Sequence, residues 1–302
     1  MPEVHIDPNV DQDEFVNYAR GLAVVLSTGQ DEKGGFLVPP HVITRFQNIL
    51  DDLSPMRKIA RVDTISTDSL EILKDQGDAD CGWVQESDAR PATKAPLFMK
   101  QKIDVHEIYA KPVLTQKLLD DAMVNLEPWI LEKIAEKMAR AENQAFLFGD
   151  GHGKPKGLLH EKDRINALEA GEHLVETLIK TALSLEPFFL RSACFLMSPQ
   201  ILSRVQILKY PGTGHFIFQQ SLQNSAPSTL LGYPIVVNEA LDQEHAIIFG
   251  SFYEGYQIVD RKGLSLLRDP FSVKPFVEFY ARKRVGGDVI NYNAFRMITF
   301  EG

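Results

Sequence analysis

The sequence predicts an α+β fold, on three observations. One amphipathic helical pattern, from about Asn125 to Phe148, is much longer than any other in the chain. Strand-like stretches come from widely separated regions, at 61–75, 100–115, 192–198, 233–260 and 273–300. Two of those strands are separated by a segment, Gln76 to Met99, that is rich in glycine, proline and aspartate. Sheets assembled from distant pieces around a long helix fit neither an alternating βα chain nor a helical bundle.

Taken in order, residues 1–33 are polar with one weak helical patch, "EFVNYARGLAVVL", and read as an arm. "GGFLVPP" follows (34–40), a hinge in which two prolines oppose helix. "HVITRFQNILDDLSPM" then carries Val42, Phe46, Ile49, Leu50 and Leu53 at helical spacing and is stopped by Pro55. "RVDTISTDSLEILKD" and "KQKIDVHEIYAKPVLT" each read as a strand. A connection as long as the one between them is functional or disordered in a compact domain. Its charges are sorted: Glu71 to Asp88 holds six acids and one base, and Ala89 to Lys102 holds four bases and no acid. Folded as a hairpin, the arms present opposite charge to each other or to a neighbouring subunit.

The long helix has Leu126, Ile130, Ile134, Met138, Ala141, Ala145 and Phe148 along one face, flanked by Trp129 and Ala135. Glu132, Lys133, Glu136, Lys137, Arg140 and Glu142 occupy the other, with Glu136 in reach of Arg140. Asn125 is its predicted N-cap, and Pro128 is tolerable in the first turn. Beyond it, "EHLVETLIKTALSL" is helical, "SACFLMS" is a buried strand, and Ser198-Pro199 opens the helix "QILSRVQILK". "YPIVVN" and "HAIIFG" are core strands with "GYQIVD" as an edge partner. "VKPFVEFYARKRVGG" and "DVINYNAFRMITF" are two strands around a turn at Gly286-Gly287.

Composition narrows the function. The formal charge of -9 over 302 residues disfavours a protein whose main task is gripping nucleic acid. Cys81 and Cys194 have no CxxC partner, which suits a reducing compartment, and the N-terminus lacks the basic-then-apolar run of a signal peptide. No stretch approaches the ~18 apolar residues of a membrane span, so a soluble, cytoplasmic chain is expected.

"AFLFGDGHGKPKGLL" (145–159) is the one candidate phosphate loop. A GxxxxGK[ST] loop needs glycine where Phe148 stands and Ser or Thr where Pro155 stands. It also follows a helix, so carbonyls point into it. It reads as a helix terminator, with Gly149 in the left-handed position. The eight histidines are scattered without an HxH or HExxH pair, and His106 reads as a half-exposed strand residue. No GxSxG elbow occurs. Arg282-Lys283-Arg284 alternates faces on a strand and reads as a solvated edge or a subunit salt bridge. The expected catalytic, cofactor-binding and metal-binding residues are therefore none.

Several stretches together resemble the major capsid proteins of tailed phages and prophages with the HK97 fold. They are "GGFLVPP", "LSPMRKIARV", "GWVQE", the run from Thr115 to Leu159 ending in "GDGHGKPKGLL", "LLGYPIVVNEAL", "IIFGSFYEGYQIVDRKG" and "RVGGDVINYNAFRMITF". The resemblance implies an α+β capsid fold. Residues 1–33 would be an N-terminal arm and 62–109 an extended β-hairpin loop lying across a neighbour. A discontinuous peripheral domain would comprise 34–61, 110–166 and 265–302 and contain the spine helix, with an axial domain at 167–264. It implies an icosahedral shell of pentamers and hexamers enclosing double-stranded DNA held non-specifically, without cofactors or membrane. Portal, scaffold or protease proteins would act during assembly. The location would be the virion capsid, reached through the host cytoplasm.

The family's founding member locks its shell with lysine–asparagine bonds. Here the lysine position is Arg90, before Pro91, and around Lys274 to Arg284 the alignment places neither the acceptor asparagine nor the catalytic glutamate, so a non-crosslinked shell is expected. Many relatives carry a long helical scaffolding region at the N-terminus. This chain is too short to hold one, which implies a removed region or a separate scaffold. Encapsulin compartments and gene-transfer-agent shells share the fold and are the alternatives. A soluble α+β enzyme is a more distant one, and it lacks a convergent nucleophile, base or metal site.

Overall fold

The computed structural model describes residues 36–37, 40–75, 98–121, 126–170, 174–209, 214–219, 228–241 and 247–300. The arm at 1–33, the "GWVQE" stretch, Cys81, Arg90 and Asn125 lie outside them. In chain order the strands are β1 (Phe36–Leu37), β2 (Arg61–Ile65), β3 (Ser69–Asp75), β4 (Phe98–Ala110), β5 (Val113–Thr115), β6 (Asn166–Glu169) and β7 (Cys194–Met197). They continue as β8 (Phe218–Gln219), β9 (Thr229–Leu230), β10 (Tyr233–Val237), β11 (Ile247–Gly250), β12 (Tyr256–Asp269), β13 (Phe276–Val289) and β14 (Phe295–Thr299). The main helices are Pro40–Leu53, Leu126–Phe148, Leu174–Leu183 and Pro199–Gln206. Helix and strand are mixed throughout, as the α+β expectation requires.

Contacts divide the chain into two units. One comprises Met1–Ser54, Glu107–Asn143 and Gly263–Arg284, and the other Pro55–His106, Gln144–Lys262 and Val285–Gly302.

In the first unit, Phe46 and Leu50 of helix Pro40–Leu53 bury against Ile130, Ile134, Ala135 and Met138. Leu266, Val277, Phe279 and Ala281 complete that core. Fully burying each large apolar side chain stabilises by about 1.5–3 kcal/mol. Helix Pro40–Leu53 begins on a proline that the sequence reading placed in a helix-free hinge. At the first helical position the missing N–H is an orphan in any case, and proline's fixed φ suits the turn. β1 pairs antiparallel with β12 and β5 antiparallel with β13.

The long helix has 23 residues and spans about 35 Å. Its buried residues depart from the expected face. They run Ile130, Ile134, Met138, Glu142, Phe146 and, beside them, Leu131, Ala135, Ala139, Asn143, Leu147. Ala141 is exposed, and Ala145 and Phe148 are half-buried. Each step of four advances roughly 40° around the axis, so the buried rows wind around the helix. The sequence reading kept to one side by inserting a step of three after Met138. Trp129, expected to flank the core, is 55% exposed.

The second unit contains a seven-stranded sheet in the order β6-β14-β11-β7-β10-β9-β8. β7 pairs parallel with β10 and antiparallel with β11. β7 and β11 are buried at every residue, and the ring centroids of Phe195 and Phe249 lie 4.5 Å apart between them. Ser198 caps helix Pro199–Gln206 as expected, its Oγ accepting from Ile201 N. "GYQIVD" is not an edge partner of that sheet, because this part of β12 pairs parallel with β2. The presumed single strand at 61–75 divides into β2 and β3 at a bend where Thr67 Oγ1 donates to Ser69 O.

The expected turn at Gly286-Gly287 is absent. β13 runs straight through both glycines, and the chain breaks later, at the short 3-10 turn Tyr292–Ala294 before β14. Here glycine answers a need for space. A Cβ on Gly286 would sit 2.5 Å from Asp104 O, and one on Gly287 would sit 2.6 Å from Tyr256 Oη.

Candidate functional site

The last turn of a helix leaves carbonyls without intrahelical donors, and the glycine-rich stretch supplies them. Gly149 N donates to Ala145 O at 2.8 Å, Leu158 N to Phe146 O at 2.9 Å, and Leu159 N to Leu147 O at 2.8 Å. Gly157 N closes the loop onto Gly149 O at 2.8 Å. The segment therefore terminates the helix, as the sequence reading held, and its inward groups are spent carbonyls that give a phosphate no amide cradle. Gly149 itself is not in the left-handed region; Gly151 (φ 81) and Gly153 (φ 67) are. Gly149 is required for closeness, since a Cβ there would lie 1.9 Å from Pro155 O.

Around this loop the second unit gathers a polar cluster. Glu161 accepts from Lys156 Nζ, from Arg164 Nη1 at 2.7 Å and from Tyr292 Oη at 3.0 Å. Arg164 also stacks over the Tyr292 ring, 4.3 Å from its centroid. Lys156 reaches Asp288 at 4.0 Å. Asp288 Oδ2 in turn accepts from Gln101 Nε2 at 2.6 Å, and Val289 O accepts from Lys74 Nζ at 3.4 Å. Lys74 and Gln101 stand on the antiparallel pair β3–β4, so the cluster ties the base of the hairpin to the loop after the long helix.

The lysine and guanidinium bonds hold the Glu161 carboxyl down to about 2, against an ordinary 4.5. A depressed carboxylate contributes stability above its unfolded pKa and loses it as pH falls through the folded one. This contribution is therefore complete above pH 4.5 and lost between there and about 2. Glu161→Gln is expected to cost about 2 kcal/mol at neutral pH and to flatten the stability profile across that acid window. Denaturant unfolding at stepped pH checks both.

Two further ion pairs are buried. Arg57 holds Asp260 through two bonds, of 2.7 and 2.9 Å, and lies 5.7 Å from the Phe146 ring centroid. In the first unit, Lys283 Nζ lies 3.4 Å from Glu142 Oε1, with the two side chains 3% and 0% exposed. The alternation expected of Arg282-Lys283-Arg284 is present: Arg282 is exposed, and Arg284 bonds Glu107 at 3.2 Å. The expected solvated edge fails at Lys283, which points into the core. Glu142, assigned to the polar side of the helix, is the residue it meets. The one signal for this was Glu142's place in the i+4 row of Ile130, Ile134 and Met138.

Chemically these groups are spoken for. Burial pushes the Cys194 thiol up to about 12, so it stays protonated at neutral pH. Glu161 is too acidic for proton transfer there. A groove of about 660 Å³ is lined by Ile165, Ala167, Met297 and Arg296. Its guanidinium is spent on the carbonyls of Asn293, Phe295 and Ser184. His106 is half-buried on β4, as expected. Among the described residues no group of three His, Cys, Asp or Glu could hold a metal ion, and no helix is long and apolar enough to cross a membrane. Large apolar side chains are nonetheless exposed, Leu183, Ile207, Tyr109 and Phe188 among them. Exposed apolar surface marks interaction sites where it is contiguous.

Locked ion pairs and a helix end sealed by its own loop are groups that hold the fold together, so the class of the protein is read from its likeness to known proteins. The sequence pattern of the phage capsid family matches residues 34–300. The capsid of an empty GTA particle is 31% identical and superposes with a TM-score of 0.73 over 95% of this chain and 98% of that one. For the capsid of a native GTA particle the values are 30%, 0.71, 95% and 99%. A structure from Microbacterium phage Oxtober96 shares the fold, at 12% identity and a TM-score of 0.66 over 95% and 98%. A 54-residue stretch is 39% identical to the major capsid protein of Escherichia phage T5, spanning 18% of this chain and only 12% of that protein. The chain belongs to the phage capsid family and has the HK97-like capsid fold.

Proposed function

We propose that this chain is the repeating subunit of an icosahedral phage or prophage capsid, assembling into pentamers and hexamers around double-stranded DNA. The observation that carries the reading is the family match over residues 34–300. Closed symmetric shells gain permanence from repetition, since each subunit holds several neighbours through contacts of ordinary size. In this reading residues 1–33 are the arm and 62–109 the extended loop. Residues 34–61, 110–166 and 265–302 are the peripheral domain, and 167–264 the axial domain. The chain works by geometry, with no catalytic, cofactor-binding or metal-binding residue. Portal and scaffold or protease proteins attend assembly in the host cytoplasm. Negative-stain microscopy of the expressed protein tests this: rings or closed shells support it, and a protein that stays monomeric under every assembly condition overturns it.

A gene-transfer-agent shell is the second reading, favoured by the 31% identity over nearly the full length of a GTA capsid. The two predict the same subunit architecture and differ in what the particle encloses, which sequencing of packaged DNA decides. In either case Arg90 stands where the founding member's crosslinking lysine would be. The assembled shell should therefore dissolve to a single monomer band on a denaturing gel, and covalent ladders would contradict this.

A further inference from the structure

β6 ends the seven-stranded sheet of the second unit. It pairs parallel with β14, Ala167 opposite Met297 and Glu169 opposite Thr299, and Ala170 N donates to Thr299 O at 2.8 Å. Backbone groups alternate in direction along a strand, so those of Asn166, Leu168 and Ala170 face β14. The N–H and C=O of Ala167 and Glu169 face the open edge. They have no hydrogen-bond partner there among the described residues, and both residues are exposed. The strand face that carries these two side chains overlooks the groove of about 660 Å³, whose floor is Ile165 and Met297.

We propose that this edge takes an extended peptide of a separate protein by strand addition, with a basic residue opposite Glu169 and an apolar one two positions later opposite Ala167. An open edge is a template for an added strand. Main-chain bonds supply the affinity, and alternate side chains supply the selection. In an antiparallel partner, the residues opposite Ala167 and Glu169 exchange both bonds with them and place their side chains on the groove face. The apolar one covers Ile165 and Met297. The basic one meets the Glu169 carboxylate, which has no ion partner among the described residues. A second copy of the same edge fits less well. It offers Ala167 and Glu169, neither of them basic, and leaves each Glu169 unmatched or set against its own copy. Such a site does not depend on whether the subunit closes a shell around DNA.

The probe is the capped pentapeptide Lys-Thr-Val-Thr-Val, labelled for fluorescence anisotropy and titrated with the full chain. Saturable binding is expected, weakened about fivefold when the peptide lysine becomes glutamate. Glu169→Lys should reverse that preference. Ala167→Pro removes an N–H that the pairing with β14 does not use, so binding should weaken about tenfold at an unchanged melting temperature. Leu168→Pro strikes an N–H that faces β14 and should lower the melting temperature instead. By hydrogen exchange, the free chain should show fast amides at Ala167 and Glu169 and a slow one at Leu168, and bound peptide should slow the first two. Absence of saturable binding would overturn the proposal, as would binding indifferent to Ala167→Pro and to the peptide's charge. Loss of subunit self-assembly in Ala167→Pro would assign the edge to a second copy and overturn it too.

Discussion

Lys283→Ala and Glu142→Ala should each destabilise the subunit by about 3–5 kcal/mol, because either breaks an ion pair whose two members are both buried. The side chains are 3% and 0% exposed. Removing both charges should behave differently. Lys283→Met with Glu142→Leu takes the same space, eliminates both desolvation costs, and is expected to fall between neutral and about 4 kcal/mol more stable. The double-mutant cycle on the isolated subunit, read by urea unfolding, should therefore show strong coupling. A near-additive cycle would mean that the two groups do not share one buried environment. The pair binds the long helix to β13 within the first unit, so the single variants should also loosen the core around Met138 and Ala281.

How far the sequence could be read follows from this pair. The long helix was legible in its extent because 23 residues contain many repeats of the apolar pattern. Its buried face was not, because a straight helix with steps of four rotates its rows, and Glu142 looks like any solvated glutamate until Lys283 is placed opposite. The strands β7 and β11 were legible as short continuous apolar runs. β13 was misread at Gly286-Gly287, since paired glycines signal a turn and also permit two backbones to meet. Sequence alone cannot tell those uses apart without the neighbour, here Asp104 O. The cluster around Glu161 joins residues from 74 to 292 and has no local signature at all. The resemblance to capsid proteins was readable because it rested on the order of many stretches, which survives when individual contacts cannot be inferred.

The second large effect is expected at Gly157. A Cβ there would lie 2.5 Å from Gly149 N and from the carbonyl carbon and oxygen of Leu147. All three are backbone atoms at the sealed helix end, so no side-chain rotation relieves the clash. Gly157→Ala must push the returning segment away and break the bonds from Leu158 N to Phe146 O and from Leu159 N to Leu147 O. Phe146 and Leu147 are fully buried, and each orphaned carbonyl costs about 1–3 kcal/mol. The total loss should then be roughly 3–5 kcal/mol. Gly153→Ala is the matched control: φ is 67 but nothing lies within 4 Å of the added carbon. It should cost only the left-handed penalty of about 1–2 kcal/mol. Hydrogen exchange distinguishes the two. The amides of Leu158 and Leu159 should lose protection in Gly157→Ala and keep it in Gly153→Ala. Equal protection in both variants would show that the loop does not seal the helix.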